Sequence, residues 1–146
     1  MGDYWANAVR HPEDVGIGHI RRTVPLALLS NPAYAAKGVP IGTLEAGAVP
    51  LRTDVTILTA FDQGSLDIGT DGNLGSFAPN ATVQPQTAGF KAGMSGPQSG
   101  QPLAADTTVY AKFTPGATPA TRGVALVIQT FVNRREAEGI PFPNNP

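Results

Sequence analysis

Glycine and proline interrupt this chain so often that long helices are excluded. Seventeen glycines and fourteen prolines are spread over 146 residues, about a fifth of the chain, where average usage predicts about an eighth. Hydrophobic residues make up 41% and charged residues 14%, which is too apolar for a disordered polyelectrolyte. The pattern favours many short strands separated by turns, and it predicts an all-β protein with one domain and appendages.

The charge balance and the lack of cysteine exclude several classes of function. The net charge is −1 and the isoelectric point is near 6.0, without the positive charge that binding to nucleic-acid phosphates requires. With no cysteine, disulfides, thiolate metal ligands and a cysteine nucleophile are excluded. No apolar run reaches the roughly 20 residues of a membrane span, and Asp3 stands where a signal peptide carries basic residues. We expect neither nucleic acid nor a membrane as partner, and synthesis in the cytoplasm.

Alternation of apolar and polar residues predicts two amphipathic strands. In residues 51–61, every second side chain, including Val55, belongs to a mainly apolar face, and the side chains between them, including Arg52, belong to a polar face. Leu58 makes the C-terminal end of the polar face apolar. Residues 107–113 alternate in the same way. Residues 123–132 are apolar on both parities, which is typical of a central strand covered on both faces.

Turn residues predict how these strands connect. The turn at residues 62–64 predicts a hairpin between strand 51–61 and a strand at 65–69, and the turn at 114–120 predicts a second hairpin. Pro25 lies in the apolar run 23–29, which favours an edge strand or an extended crossover over a central strand, because proline cannot donate to a ladder. We therefore expect a β-sandwich, most simply a jelly-roll-like β-sandwich.

Three segments lie outside this regular pattern. Residues 1–22 have no sustained period and are predicted to be an N-terminal arm, and residues 136–146 form a proline-rich C-terminal tail. Within the sandwich domain, residues 23–135, the stretch 70–102 holds six glycines and four prolines and is predicted to be a long loop. Loops of this length usually carry function or an interface.

Polar clusters in the sequence do not have the spacing of catalytic or metal sites. The acidic residues from Asp62 to Asp71 lack the register of a calcium loop, and Asp71–Gly72 is typical of a turn. His11 and His19 stand in a segment without a helix to align them as metal ligands. No serine motif is set in a strand, turn and helix. We expect neither an enzyme nor a cofactor.

Strand and turn patterns over about 60% of the chain resemble the small head decoration, or cement, proteins of tailed bacteriophages. The residues that carry the resemblance are 55–62, 66–70, 103–111 and 123–132. The resemblance implies a jelly-roll-like sandwich on the outside of the virion's capsid, which bridges neighbouring major capsid proteins and resists internal DNA pressure. It implies the major capsid protein and other copies of the chain as partners.

A cement protein needs rigidity and extended segments that reach several subunits, so the arm, the loop and the tail are the expected contact elements. The candidate contact residues are aromatic and basic residues of the arm and apolar residues of the tail: Tyr4, Trp5, Arg21, Arg22, Ile140 and Phe142.

Two other functions fit the same composition. A carbohydrate-binding fibre or adhesin module would need an exposed aromatic platform, for which the chain offers one tryptophan and three tyrosines. A tail or neck structural protein of the same class of virus would assemble into rings. Copy number per particle separates a tail or neck component from a cement protein.

Overall fold

A computed structural model describes residues 16–94 and 100–133 of the chain. These residues form eight strands, two single-turn α-helices and one 3₁₀ turn. The strands are β1 (Ile17–Pro25), β2 (Val39–Leu44), β3 (Val49–Thr59), β4 (Ser65–Thr70), β5 (Asn73–Ala78), β6 (Gly89–Met94), β7 (Thr107–Thr114) and β8 (Val124–Val132). The helices are α1 (Leu26–Leu29) and α2 (Asn80–Val83), and the 3₁₀ turn is Pro32–Tyr34.

The strands pair as one long hairpin that has been rolled up. β1 pairs with β8, β2 with β7, β3 with β6 and β4 with β5, all antiparallel, so the hairpin's tip is the turn between β4 and β5. Rolling adds the pairs β3 with β8 and β4 with β7. The result is two four-stranded sheets, sheet 1 in the order β1-β8-β3-β6 and sheet 2 in the order β2-β7-β4-β5. This is a jelly-roll-like β-sandwich, which confirms the predicted fold class.

The core lies between the sheets and is built from alternate residues of each strand. Phe61 and Phe113 stack across it with their ring centroids 5.7 Å apart. The core also encloses a polar pair, Thr53 of β3 and Gln129 of β8. The hydroxyl of Thr53 donates a hydrogen bond to the side-chain oxygen of Gln129, and both residues are buried. The largest apolar side chains buried in the core are Phe61, Phe77, Leu44, Ile57, Leu66 and Ile68.

Strands predicted from periodicity are found where the pattern places them. Residues 51–61, 107–113 and 123–132 correspond to β3, β7 and β8. β8 lies between β1 and β3, as expected of a central strand. Only its inner face is fully buried, and its outer face, with Leu126 and Ile128, is half-buried. The expectation that both faces are covered is therefore wrong for the part of the chain that the structure describes.

Both predicted hairpins are wrong, because each turn passes from one sheet to the other. β3 lies in sheet 1 and β4 in sheet 2, and β7 and β8 are divided in the same way. A turn signal reports that the chain reverses, but it carries no information on which strand becomes the hydrogen-bonded neighbour. The Asp71–Gly72 turn does join paired strands, β4 and β5.

Two segments predicted to be irregular contain strands. Residues 17–22 belong to β1, and the stretch 70–102 contains β5, α2 and β6. The period of β1 is hidden because its inward positions include Gly18, which leaves room for the ring of Phe131, and the half-buried Arg22. Conversely, the expected strand at 23–29 ends at Pro25, and α1 follows it. β1 is an edge strand, as the proline predicts.

The two connections that cross between the sheets are tied together by Asp62. Its carboxylate accepts hydrogen bonds from the backbone N–H of Thr121, at 2.9 Å, and from the hydroxyl of Thr121. These hydrogen bonds lower the pKa of Asp62 from 3.8 to about 2, and the bond from the Thr121 hydroxyl has the larger effect. Hydrogen bonds to a carboxylate favour its charged form.

Asp62→Asn is expected to remove an acid-sensitive part of the stability. Because the folded-state pKa is lowered, the contribution is complete above pH 3.8 and is lost as the pH falls towards about 2. The wild-type melting temperature should therefore fall more steeply through this window than that of the variant. Thermal melts from pH 2 to 6 measure this, with the exposed Asp71→Asn as control. Parallel curves for the wild type and Asp62→Asn would contradict the prediction.

Candidate docking surface on the outer face of sheet 1

The predicted basic pair of β1 is divided between the two faces of sheet 1. Arg22 points inward and donates from Nη1 to the carbonyl oxygen of Pro40 at 2.9 Å, so it links β1 to β2 of the other sheet. Arg21 points outward and is exposed. Only Arg21 therefore presents its charge fully to a partner. The candidate contact residues Tyr4, Trp5, Ile140 and Phe142 lie outside the described residues.

The outer face of sheet 1 carries exposed apolar side chains that the list of candidates does not contain. Phe90 of β6 is 65% exposed and Leu58 of β3 is 55% exposed. In the register of the sheet Phe90 lies opposite Thr56, and Thr56 lies opposite Leu126 of β8. The sequence holds part of this signal, since Leu58 stands on the polar parity of β3, but the position of Phe90 depends on the pairing of β6.

A lysine holds the turn that precedes Phe90. The ammonium group of Lys91 donates three hydrogen bonds of 2.9–3.0 Å, to the carbonyl oxygens of Val83, Gln84 and Thr87. Three acceptors satisfy all three donors of the group, while partial burial lowers the pKa of Lys91. The turn between α2 and β6 is thereby fixed, and with it the place at which β6 and Phe90 enter the sheet.

The outer face of sheet 2 is polar, and its charges are used within the molecule. Thr43 and Thr108 form a hydrogen-bonded cross-strand pair at 3.0 Å. The ammonium of Lys112 donates to the carbonyl oxygens of Ala35 and Ala36. Asp67 accepts a hydrogen bond of 2.8 Å from the backbone N–H of Asn80, at the start of α2. Among the described residues, the outer face of sheet 1 therefore carries exposed apolar side chains and the exposed Arg21, whereas the polar side chains just named on sheet 2 are bonded within the molecule.

An open, polar groove of about 570 Å³ lies beside the tip of the rolled hairpin. Tyr110 is the aromatic residue in its lining, which otherwise comes from Thr70, Asp71 and residues 102–108. Asp106 is occupied there as the acceptor for the backbone N–H of Ala46, at 2.9 Å. The groove therefore offers one ring rather than an aromatic platform.

The described residues do not form a metal or membrane site of the kinds considered above. Within residues 16–94 and 100–133, no three His, Cys, Asp or Glu side chains are grouped so as to hold a metal ion. In the same part of the chain, no helix has the length and apolar character needed to cross a bilayer.

The fold has counterparts among solved structures of phage capsids. One is a chain of the cyanophage Pam1 capsid asymmetric unit, with a TM-score of 0.53 and 16% identity over 80% of this chain and 84% of that one. Another is a chain of the capsid of Ralstonia phage GP4, with a TM-score of 0.51 and 22% identity over the same shares of the two chains. No protein-family model and no curated protein matches the chain. At these identities, the likeness establishes a shared fold.

Proposed function

We propose that this chain is a structural protein of a tailed-phage virion, and specifically a decoration or cement protein on the outside of the head. The observation that carries the proposal is the fold that it shares with chains of two phage capsid structures. The strand and turn patterns that resemble head decoration proteins narrow that role from the capsid in general to the decoration of its surface.

The physical character of the domain supports a structural rather than a catalytic role. The polar side chains of Asp62, Lys91 and Lys112 form internal hydrogen bonds that hold connections between strands in place. A cement protein works through many weak contacts that the symmetry of the shell multiplies. It needs a stiff body with contact elements at its surface, and no perturbed acid or base.

The proposed partners are the major capsid protein and other copies of this chain, and the proposed contact residues are those of the arm and the tail. Arg21 contributes a charge, while Tyr4, Trp5, Ile140 and Phe142 supply apolar anchors. Arg22 is also proposed as a contact residue, although one of its donors bonds Pro40.

Removing residues 1–15 is expected to lower the occupancy of the chain on purified heads without changing its melting temperature. The deletion ends before Ile17, because that residue begins β1 and a longer deletion would remove a strand of sheet 1. Occupancy is measured by gel densitometry of sedimented heads. The double variant Tyr4→Ser, Trp5→Ser tests whether the two aromatic residues account for the loss. Full occupancy by the shortened chain would refute a contact role for this segment.

Copy number per particle separates this function from the other structural role. A cement protein is present in a large multiple that the symmetry of the shell sets, whereas a tail or neck protein is present in a few rings' worth. For a carbohydrate-binding module, the described residues offer Phe90 on one face of the sandwich and Tyr110 on the other. Because these two rings lie on opposite faces, they do not form one aromatic platform, which favours the structural role over glycan binding.

A further inference from the structure

The described chain enters β1 and leaves β8 at the same end of sheet 1. Ile17, where β1 begins, is the register partner of Val132, where β8 ends. Val132 is also the partner of Val49 at the start of β3. The points at which residues 1–15 and 134–146 join the described chain therefore lie at the same end of sheet 1. If these segments contact the shell, as the proposed function requires, sheet 1 is the sheet brought nearest to it.

The outer face of sheet 1 is divided into an apolar region and a charged region. Along one row, Thr23, Leu126, Thr56 and Phe90 follow one another from β1 to β6. Leu58 stands two positions beyond Thr56 on the same side of β3, within reach of Phe90 as a diagonal neighbour. Leu58, Phe90 and Leu126 form the apolar cluster of the face.

The neighbouring row carries the charges. Arg21, Ile128 and Asp54 follow one another from β1 to β3. The Oδ2 atom of Asp54 lies 3.3 Å from Nε of Arg52, and Asp54 is buried. Arg21 is exposed at the outer edge of the row. The row therefore places an exposed cation two strands away from a carboxylate that is already engaged.

We propose that this face, the apolar cluster of Leu58, Phe90 and Leu126 with Arg21 beside it, docks on the major capsid protein. The inference rests on the proposed function and deepens it by naming the surface. It requires of the partner an apolar patch that covers Phe90 and Leu58, and a carboxylate at the edge of that patch to pair with Arg21. Sheet 2, whose outer face is polar and internally bonded, then faces solvent.

Charge complementarity favours the capsid protein over a second copy packed face to face. In a two-fold contact both partners present the same surface. The described residues of this face supply a single carboxylate, Asp54, and it is buried beside Arg52. As far as the described residues go, self-packing would therefore bring together two faces with an excess of positive charge and offer Arg21 no exposed carboxylate. A different protein can supply the missing carboxylate.

The apolar half of the proposal is tested with the full-length double variant Leu58→Ser, Phe90→Ser on purified heads that lack the chain. Both side chains are more than half exposed, so folding is preserved, and the melting temperature checks this. Loss of two central apolar contacts is expected to weaken binding at least about 10-fold. Leu74→Ser is the matched control, since Leu74 is 43% exposed but lies on β5 of sheet 2.

The charged half is tested by Arg21→Glu, which is expected to weaken binding about 10-fold, whereas Arg21→Lys retains most of it. The loss of binding should become smaller as the salt concentration is raised.

If wild-type chain does not bind heads, the proposed function fails. If wild-type chain binds and these variants bind equally well, the docking surface is wrong and the function stands. If light scattering shows a wild-type dimer that the Leu58 and Phe90 substitutions dissociate, the occupant is a second copy and the proposal is overturned.

Discussion

Phe61→Ala is expected to lower the free energy of unfolding by about 3–5 kcal/mol, the usual cost of truncating a fully buried aromatic residue. Phe61 is 1% exposed, and its ring stacks on that of Phe113 with the centroids 5.7 Å apart. The substitution removes both the buried apolar surface and the stacking contact, and the cavity lies where the chain crosses from sheet 1 to sheet 2. Urea denaturation measures the effect as a lower midpoint with an unchanged slope.

Phe90→Ala is the matched control, because the same ring is removed from a position that is 65% exposed. Its expected cost is within about 0.5 kcal/mol. Similar losses for the two variants would show that Phe61 is not part of a packed core.

Gly64→Ala is expected to destabilise the fold by about 3 kcal/mol, as the sum of a strained backbone and a steric overlap. Gly64 has a φ of +94°, and a methyl group added there would overlap the ring of Phe113 and lie 2.9 Å from the carbonyl oxygen of Thr114. The ring cannot retreat freely, because Phe61 stacks on it. Thermal and urea denaturation measure the loss.

Gly72→Ala separates the two causes. Gly72 also has a positive φ, +84°, but a methyl group there would have no atom within 4 Å. Only the backbone term remains, about 1–2 kcal/mol. Equal losses at the two glycines would mean that the overlap with Phe113 contributes nothing.

Phe61 and Gly64 lie in one region, in which the rolled hairpin is closed by contacts that are distant in sequence. Asp62 bonds Thr121, and a methyl group on Gly123 would overlap the ring of Phe61. The connections between β3 and β4 and between β7 and β8 are therefore locked to each other at this point. Such closure gives the sandwich the stiffness that the proposed role on a shell under internal pressure requires.

Strands could be predicted where one face is apolar and the other polar. β3 and β7 show this alternation, and β8 is apolar enough to be recognised as central. The part of β1 before Thr23 was not predicted, because Gly18 and Arg22 occupy inward positions that a period rule expects to be apolar. β5 and β6 lie in a stretch rich in glycine and proline, which predicts a loop. Their backbones pair without requiring an alternation of apolar and polar residues, so periodicity did not reveal them.

Local patterns alone therefore determined that the chain is an all-β protein and the positions of four strands, β3, β4, β7 and β8. The absence of cysteine excluded disulfides and thiolate chemistry. Periodicity, charge and turn chemistry are each defined by a few neighbouring residues, so they can be read from the sequence alone. The pairing of strands, the nearness of Asp62 to Thr121 and the exposure of Phe90 beside Leu58 were decided only by the tertiary structure. Each depends on residues far apart in the chain, whose contacts form because rolling one long hairpin buries its apolar face. The abundant glycines and prolines allow the chain to be rolled in this way, but they do not determine which strands pair.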